Sequence, residues 1–152
     1  MGLDSYLWKK TSMDNWVDGS IVKYDVSVTL KGKPVKHIDP SKVTYIIEEV
    51  GYWRKANQIH NWFVQNVQNG VDDCKPYWVD EEELQELLKV CKKVIKKPSL
   101  AESLLPTSQG FFFGRDDYDE YYMEQLKYTV KLLEKLLKLK EKDVQFEYQS
   151  SW

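Results

Sequence analysis

An α+β domain is the fold class this chain predicts, on three observations. Its first third alternates apolar and polar residues with a period of two. Its middle and later parts carry three segments whose apolar residues recur every three or four positions. A short alternating run then returns near the end. Period two marks a half-buried strand and period 3.6 an amphipathic helix, so a small antiparallel sheet packed against about three α-helices is expected. At 152 residues the chain suits one domain, 1–152, that buries about two-thirds of its unfolded surface.

Leu3 to Lys10 reads as a short strand. Ile21 to Leu30 alternates more cleanly, and Lys31-Gly32-Lys33-Pro34 turns it into Val35 to Ile38 as a hairpin. Asp39-Pro40-Ser41 resembles a helix start, with a β-branched strand from Val43 to about Glu48 as its competitor. From Glu49 to Gln68 the spacing of Tyr52, Ala56, Ile59, Phe63 and Val67 predicts a helix, ended by Asn69-Gly70. Asp80 with Glu83 forms a capping pair ahead of Leu84, Leu87, Leu88, Cys91, Val94 and Ile95, a second helix stopped by Pro98. Its lysines at the end complement the helix dipole.

A turn of helix fits Ser99 to Leu105. Asp117 with Glu120 then predicts the cap of a long third helix through Met123, Leu126, Val130, Leu133 and Leu137. Leu132, Leu136 and Leu139 widen its apolar face, a surplus that suggests a protomer contact. Val144 to Tyr148 closes the chain as a strand.

Twenty-two basic residues face 24 acidic ones, so no overall field draws the chain to nucleic acid or an anionic membrane, and an anionic ligand must be met by a local cluster. Six Trp and ten Tyr exceed what a core of this size needs, and such rings suit ligand pockets and interfaces. Two cysteines are too few for a disulfide framework, which fits a reducing cytoplasm. Asp4 interrupts the only apolar run at the N-terminus, so neither a signal peptide nor a spanning helix is expected there. The opening Met-Gly lacks the Ser or Thr of a myristoylation signal, since Tyr6 stands in its place.

The densest chemistry lies in YWRKANQIHNWF, residues 52–63. On a helix, Trp53, Asn57, His60 and Val64 form an arc beside the core stripe, with Arg54 just beyond. An indole, carboxamides, an imidazole and a guanidinium together form a set that stacks a base and holds ribose and phosphate oxygens. The competing reading is that Trp53 and His60 pad the rim of the core while Arg54 is solvated. A second candidate is PTSQGFFFGR, residues 106–115. Neighbouring side chains of an extended segment face opposite sides, so one ring of Phe111, Phe112 and Phe113 must look away from the core, and Arg115 follows as an anion partner. Gly110 and Gly114 permit the loop to close over a planar guest, or else mark the bends of a buried strand.

Signals for catalysis are thin. The chain has no GxxxxGK[ST], GxGxxG, C-x-x-C or H-E-x-x-H, so no metal, cofactor or catalytic residue is assigned. A Cys74 nucleophile with His60 as base would sit beside Asp72 and Asp73, whose charge disfavours the thiolate. Paired carboxylates such as Asp116 with Asp117 are explained by helix capping.

The ordered strings MGLD, YWRKANQIHNWF, GVDDC, LLPTSQGFFFG, YDEYY and SSW, which span essentially the whole chain, resemble a family of small tailed-bacteriophage and prophage proteins that shares no established activity. That resemblance implies a phage accessory protein. By analogy of class and chemistry, it points to the sponges that phages use against bacterial immunity, which withhold the cyclic nucleotides of CBASS or the ADP-ribose-derived signals of Thoeris. The resulting expectation is a non-enzymatic, oligomeric, cytoplasmic anti-defence protein. In it Trp53 and one of Phe111 to Phe113 sandwich a base, Arg54 and Arg115 meet phosphate, and Asn57 and His60 bond ribose or base edges. The alternatives are a small nucleotide phosphodiesterase using His60, and a protein that docks on a host enzyme and blocks it.

Overall fold

The structure, a computed structural model, describes residues 2–152. Its strands are β1 (Asp4–Ser12), β2 (Asp14–Val17), β3 (Ser20–Lys23), β4 (Thr29–Leu30), β5 (Lys33–Pro34), β6 (Tyr45–Arg54), β7 (Tyr77–Val79) and β8 (Val144–Ser151). The helices are α1 (Asn57–Asn66), α2 (Glu81–Lys96), α3 (Ala101–Leu104) and α4 (Glu120–Lys138). β1 pairs antiparallel with β6 on one side and β8 on the other, and β7 adds to β8, giving the sheet order β6-β1-β8-β7. The α+β class holds, and no helix among the described residues is long and apolar enough to cross a membrane.

Alternation along β1 explains the layering. Ser5, Leu7 and Lys9 are buried and face the helices, whereas Tyr6 and Trp8 lie on the other face, ring on ring at 5.3 Å. On the inner face Leu7, Trp53, Tyr148 and Val79 meet Ile59 and Phe63 of α1, Leu84 and Leu87 of α2, and Leu126 and Leu133 of α4. Tyr148 stacks on Phe63 with centroids 3.9 Å apart. Lys9 reaches the end of that face, and its ammonium is held 3.0 Å from Glu48 and 3.1 Å from Glu141. The bond to Glu48 is the main reason its pKa is raised.

α2 begins as its sequence predicts. Asp80 accepts from the Glu83 amide at 2.8 Å while the Glu83 carboxylate accepts from the Asp80 amide at 2.9 Å, a complete capping box. α4 starts later than expected: Asp119, not Asp117, caps it by accepting from the Tyr122 amide at 3.0 Å. The surplus leucines of α4 are spent inside the chain. Leu136 is buried, and Leu132 lies over Gly51, where a Cβ would sit 2.6 Å from a Leu132 methyl. Only Leu139 of that flank is exposed, which removes the ground for a protomer contact there.

The main correction concerns residues 45–68. A helix was expected from Glu49, yet β6 runs to Arg54 and α1 begins only at Asn57. Lys55, at φ 53°, breaks the extended run, and its amide donates to the Leu3 carbonyl at 2.7 Å. Long-range pairing with β1 decides the matter, because the β-branched and aromatic residues of 45–53 satisfy a central partner strand better than a free helix face. Ala56, Ile59 and Phe63 keep their predicted burial, but Tyr52 is on the exposed side.

The expected long hairpin is also shorter. Ile21 to Leu30 contains β3 and then irregular chain, Val35 to Ile38 is not a strand, and Lys31-Gly32 turns only the two-residue pair β4-β5. β2 and β3 form their own hairpin around Asp18-Gly19, both at positive φ. β7 has no counterpart in the sequence reading, for three residues are too few to show a period.

Candidate functional site: a basic cleft at the end of β6

Because Trp53 lies on a strand, it shares no helical arc with Asn57 and His60. Its side chain points into the core, is 1% exposed, and its indole N–H donates to the Thr129 hydroxyl at 2.9 Å. Phe63 and Tyr128 close over the ring at centroid distances of 6.1 Å. No face remains for a base, so the expected Trp53 stacking platform is corrected.

His60 is equally sealed. One ring nitrogen lies 2.8 Å from the Tyr148 hydroxyl, the other 2.9 Å from an Asp72 carboxylate oxygen, and Phe113 packs edge-on against the ring. The chain of bonds continues from Tyr148 to Ser5 at 2.9 Å, while Trp152 donates to the other oxygen of Asp72 at 3.0 Å. Burial pushes the Tyr148 phenol upward, so it stays protonated and can serve as a donor. With both nitrogens engaged and the ring buried, His60 has no lone pair or proton to offer a substrate. It ties α1, β1, β8 and the segment after α1 together. The phosphodiesterase alternative loses the exposed His60 it relied on, and the Cys74–His60 pair, already disfavoured by Asp72 and Asp73, gains no support.

Asn57 is buried too, yet it bears on the site indirectly. Its amide nitrogen donates to the carbonyls of Phe113 at 3.1 Å and Arg115 at 2.7 Å, and its carbonyl accepts from the Ser108 amide at 3.1 Å. One side chain thus clamps the 106–116 loop at three points. Within that loop Phe113 folds back over Gly110, whose missing Cβ leaves room for the ring, and Phe113 N–H donates to the Gly110 carbonyl. Phe111 is 97% exposed and Phe112 packs edge-on to it, but the cause is the Gly110–Phe113 turn and not the alternation of an extended segment. None of the three rings lines the cleft that holds Arg115.

Arg54 and Arg115 do come together. They line a cleft of about 380 Å³ with Lys55, Gln58, Thr107, Gly114, Asp117, Asp119, Tyr121 and Tyr122. Each wall has a local cause. The Tyr121 hydroxyl donates to the Arg54 carbonyl at 2.6 Å, which locks the end of β6 against α4. The Lys55 stem lies against Gly114 and Gly2, where added Cβ atoms would each sit 3.1 Å from it. Gly114 also takes φ 84°, which turns the loop so that Arg115 follows. Thr107 donates to the Asp116 carbonyl at 2.9 Å and Gln109 to the Asp116 carboxylate at 2.7 Å, so the loop holds its own shape.

Electrostatically the cleft is a mosaic. Arg54, Lys55 and Arg115 form no ion pair among the described residues. Asp119 is half-engaged as the α4 cap. Desolvation raises the Tyr121 phenol, with the charge of Arg54 pulling the other way, so the hydroxyl is a neutral donor and acceptor. Three free cations beside two carboxylates and phenols suit a guest that carries both anionic oxygens and hydroxyl or amino groups. A smaller cleft of about 230 Å³ near Lys9 and Leu136 offers no such cation, because Lys9 is already spent on two glutamates.

Lys55, Gln58, Tyr121 and Tyr122 were missed by sequence reasoning. Their signal was present in the strings YWRKANQ and YDEYY, but the strand-to-helix corner that brings the two strings together has no local signature. Compared with protein-family models, curated proteins and solved structures, the chain matches none.

Proposed function

We propose that the chain is a binding protein that takes a phosphate-bearing, nucleotide-derived small molecule in the Arg54–Lys55–Arg115 cleft and withholds it without turnover. The observation that carries this reading is the convergence of three unpaired cations, from a strand end and a clamped loop, on one concave site. Two guanidinium forks meet phosphate oxygens in bidentate fashion, and Asp117 or Asp119 accepts from ribose hydroxyls. A volume of about 380 Å³ lies near the lower end for ligand pockets, which favours an ADP-ribose-derived signal over a bulkier cyclic oligonucleotide. Together with the resemblance to phage proteins, this supports an anti-defence role in the host cytoplasm as the narrower form of the proposal.

Isothermal titration with ADP-ribose, a cyclic dinucleotide and inorganic phosphate tests it. Saturable binding of one nucleotide is expected, weakened at least tenfold, about 1.4 kcal/mol, by Arg54→Ala or Arg115→Ala. The bound molecule should be recovered intact after heating the complex. Unchanged affinity in the double variant, or no heat with any probe, overturns the reading, and recovery of a cleaved product replaces sequestration with catalysis.

A further inference from the structure

Residues 14–47 form an arm that contributes almost nothing to the core. The β2-β3 hairpin pairs Trp16 with Ile21 on one face and places Val17 and Val22 on the other, and all four are exposed, Trp16 to 70%. A hairpin that bares apolar side chains on both faces is unstable as a free element in water. Tyr24 and, near the start of β6, Ile47 are exposed as well.

Three observations point to the occupant. First, the arm is apolar in a hollow as well as on the hairpin: a groove of about 500 Å³ lies between residues 23–26 and 39–43, where Tyr24, Val26, Pro40 and Val43 stand beside Lys23, Asp25 and Asp39. Second, its charges are divided. Residues 14–25 carry three Asp against one Lys, and residues 31–42 carry four Lys against one Asp. Two copies related by a two-fold axis bring the acidic hairpin of each onto the basic stretch of the other, the self-complementarity an isologous contact demands. Third, the edge of β6 is treated differently along its length. At its C-terminal end the Tyr52 amide donates to the Tyr128 hydroxyl at 3.1 Å and the Arg54 carbonyl accepts from Tyr121, so α4 caps those backbone groups. The end that joins the arm, from Tyr45 to Ile47, has exposed side chains and no such hydroxyl cap among the described residues.

We infer that the arm, residues 14–47, is a two-fold interface at which the acidic hairpin of a second copy of this chain, with Trp16 and Ile21 on its apolar face, lies on the basic stretch that begins at Lys31, and reciprocally. The contact lies away from the basic cleft, and it stands whether or not the cleft binds a nucleotide.

Sedimentation of the full chain at about 1 to 100 μM, a range that spans weak to moderate dimer affinities, should show a concentration-dependent dimer. Trp16→Asp with Ile21→Asp should weaken it at least tenfold, as expected for an aromatic anchor, with the helical circular dichroism kept because neither residue is in the core and the melting temperature lowered only at concentrations where the wild type is dimeric. Asp18→Lys with Asp25→Lys should be monomeric alone, as should Lys31→Glu with Lys33→Glu and Lys36→Glu. Mixing these two charge variants should restore a one-to-one dimer. A wild-type chain that stays monomeric across the range overturns the inference. So does a dimer that survives the Trp16/Ile21 change, or a mixture of charge variants that fails to associate.

Discussion

Trp53 and Arg54 are joined by one peptide bond and occupy opposite environments. The indole is buried with its N–H satisfied by Thr129, and the guanidinium stands in an open cleft with no carboxylate partner. A strand sends successive side chains to opposite sides, which divides Trp53 from Arg54. A second contrast follows at the corner, where Lys55 at positive φ leaves the strand and Asn57 opens α1: Asn57 is enclosed and spends its bonds on the loop, while Lys55 lies between two glycines. Density of functional groups in a string therefore does not mean that they act together. Here half of them hold the wall that the other half lines.

The sharpest way to break this contrast is Trp53→Ala. Removing a fully enclosed indole should cost about 3–5 kcal/mol of stability, read as a lower urea midpoint. A loss below about 1 kcal/mol would return Trp53 to the surface and revive the stacking platform. Asn57→Ala comes next: three bonds to the 106–116 loop are lost and the Ser108 amide and two carbonyls are left without partners, a cost of about 2–3 kcal/mol. Hydrogen exchange should quicken in residues 106–116 before anywhere else. Unchanged exchange there would deny Asn57 its clamping role.

Alkaline pH probes the buried side as a whole. Desolvation raises the Cys91 thiol to about 12 and pushes the Tyr122 and Tyr148 phenols up from their ordinary 10.0. These groups keep their protons longer when folded. Their contribution is therefore complete below the ordinary thiol and phenol values, 9.0 and 10.0, and is lost as pH rises through the window above them. Stability should fall by about 1.4 kcal/mol per pH unit for each group that ionises only when unfolded. Cys91→Ala should remove the part that begins near 9, and a flat stability curve from pH 9 to 11 would contradict the burial of these groups. The smallest effect belongs to the open side. Arg54→Ala and Arg115→Ala should each change stability by no more than about 0.5 kcal/mol while weakening any nucleotide tenfold, so a large loss of stability from either would place it in the packed framework.

Some of this was legible in the chain. The box at Asp80 and Glu83 and the leucine period after it specify α2 through contacts three and four residues apart, and the Lys31-Gly32 turn follows from backbone conformations those residues accept. Two site residues, Arg54 and Arg115, were named from charge beside aromatics. His60, Asn57 and Trp53 were given the wrong role for one reason: residues 49–56 fit a helical stripe and a strand about equally well by pattern, and every side-chain direction depends on which is formed. The length of that strand is set by β1, some forty residues away. The deeper functions of Asn57 and His60 rest on Arg115 and Tyr148, farther off still, and on Asp72 in the irregular chain after α1, none of which a spacing rule reaches.

What the sequence alone determined is local: the α+β class, the capped start of α2, and the turn at Lys31-Gly32. Strand pairing and packing decided the rest. They turned Trp53 inward, closed His60 between a phenol and a carboxylate, and drew Arg54 and Arg115 to one cleft. The reason is physical. A helix or turn is stabilised by bonds within a few residues, so its instructions are written nearby, whereas a sheet and the hollow at its edge exist only when distant segments meet and exclude water from one side of each.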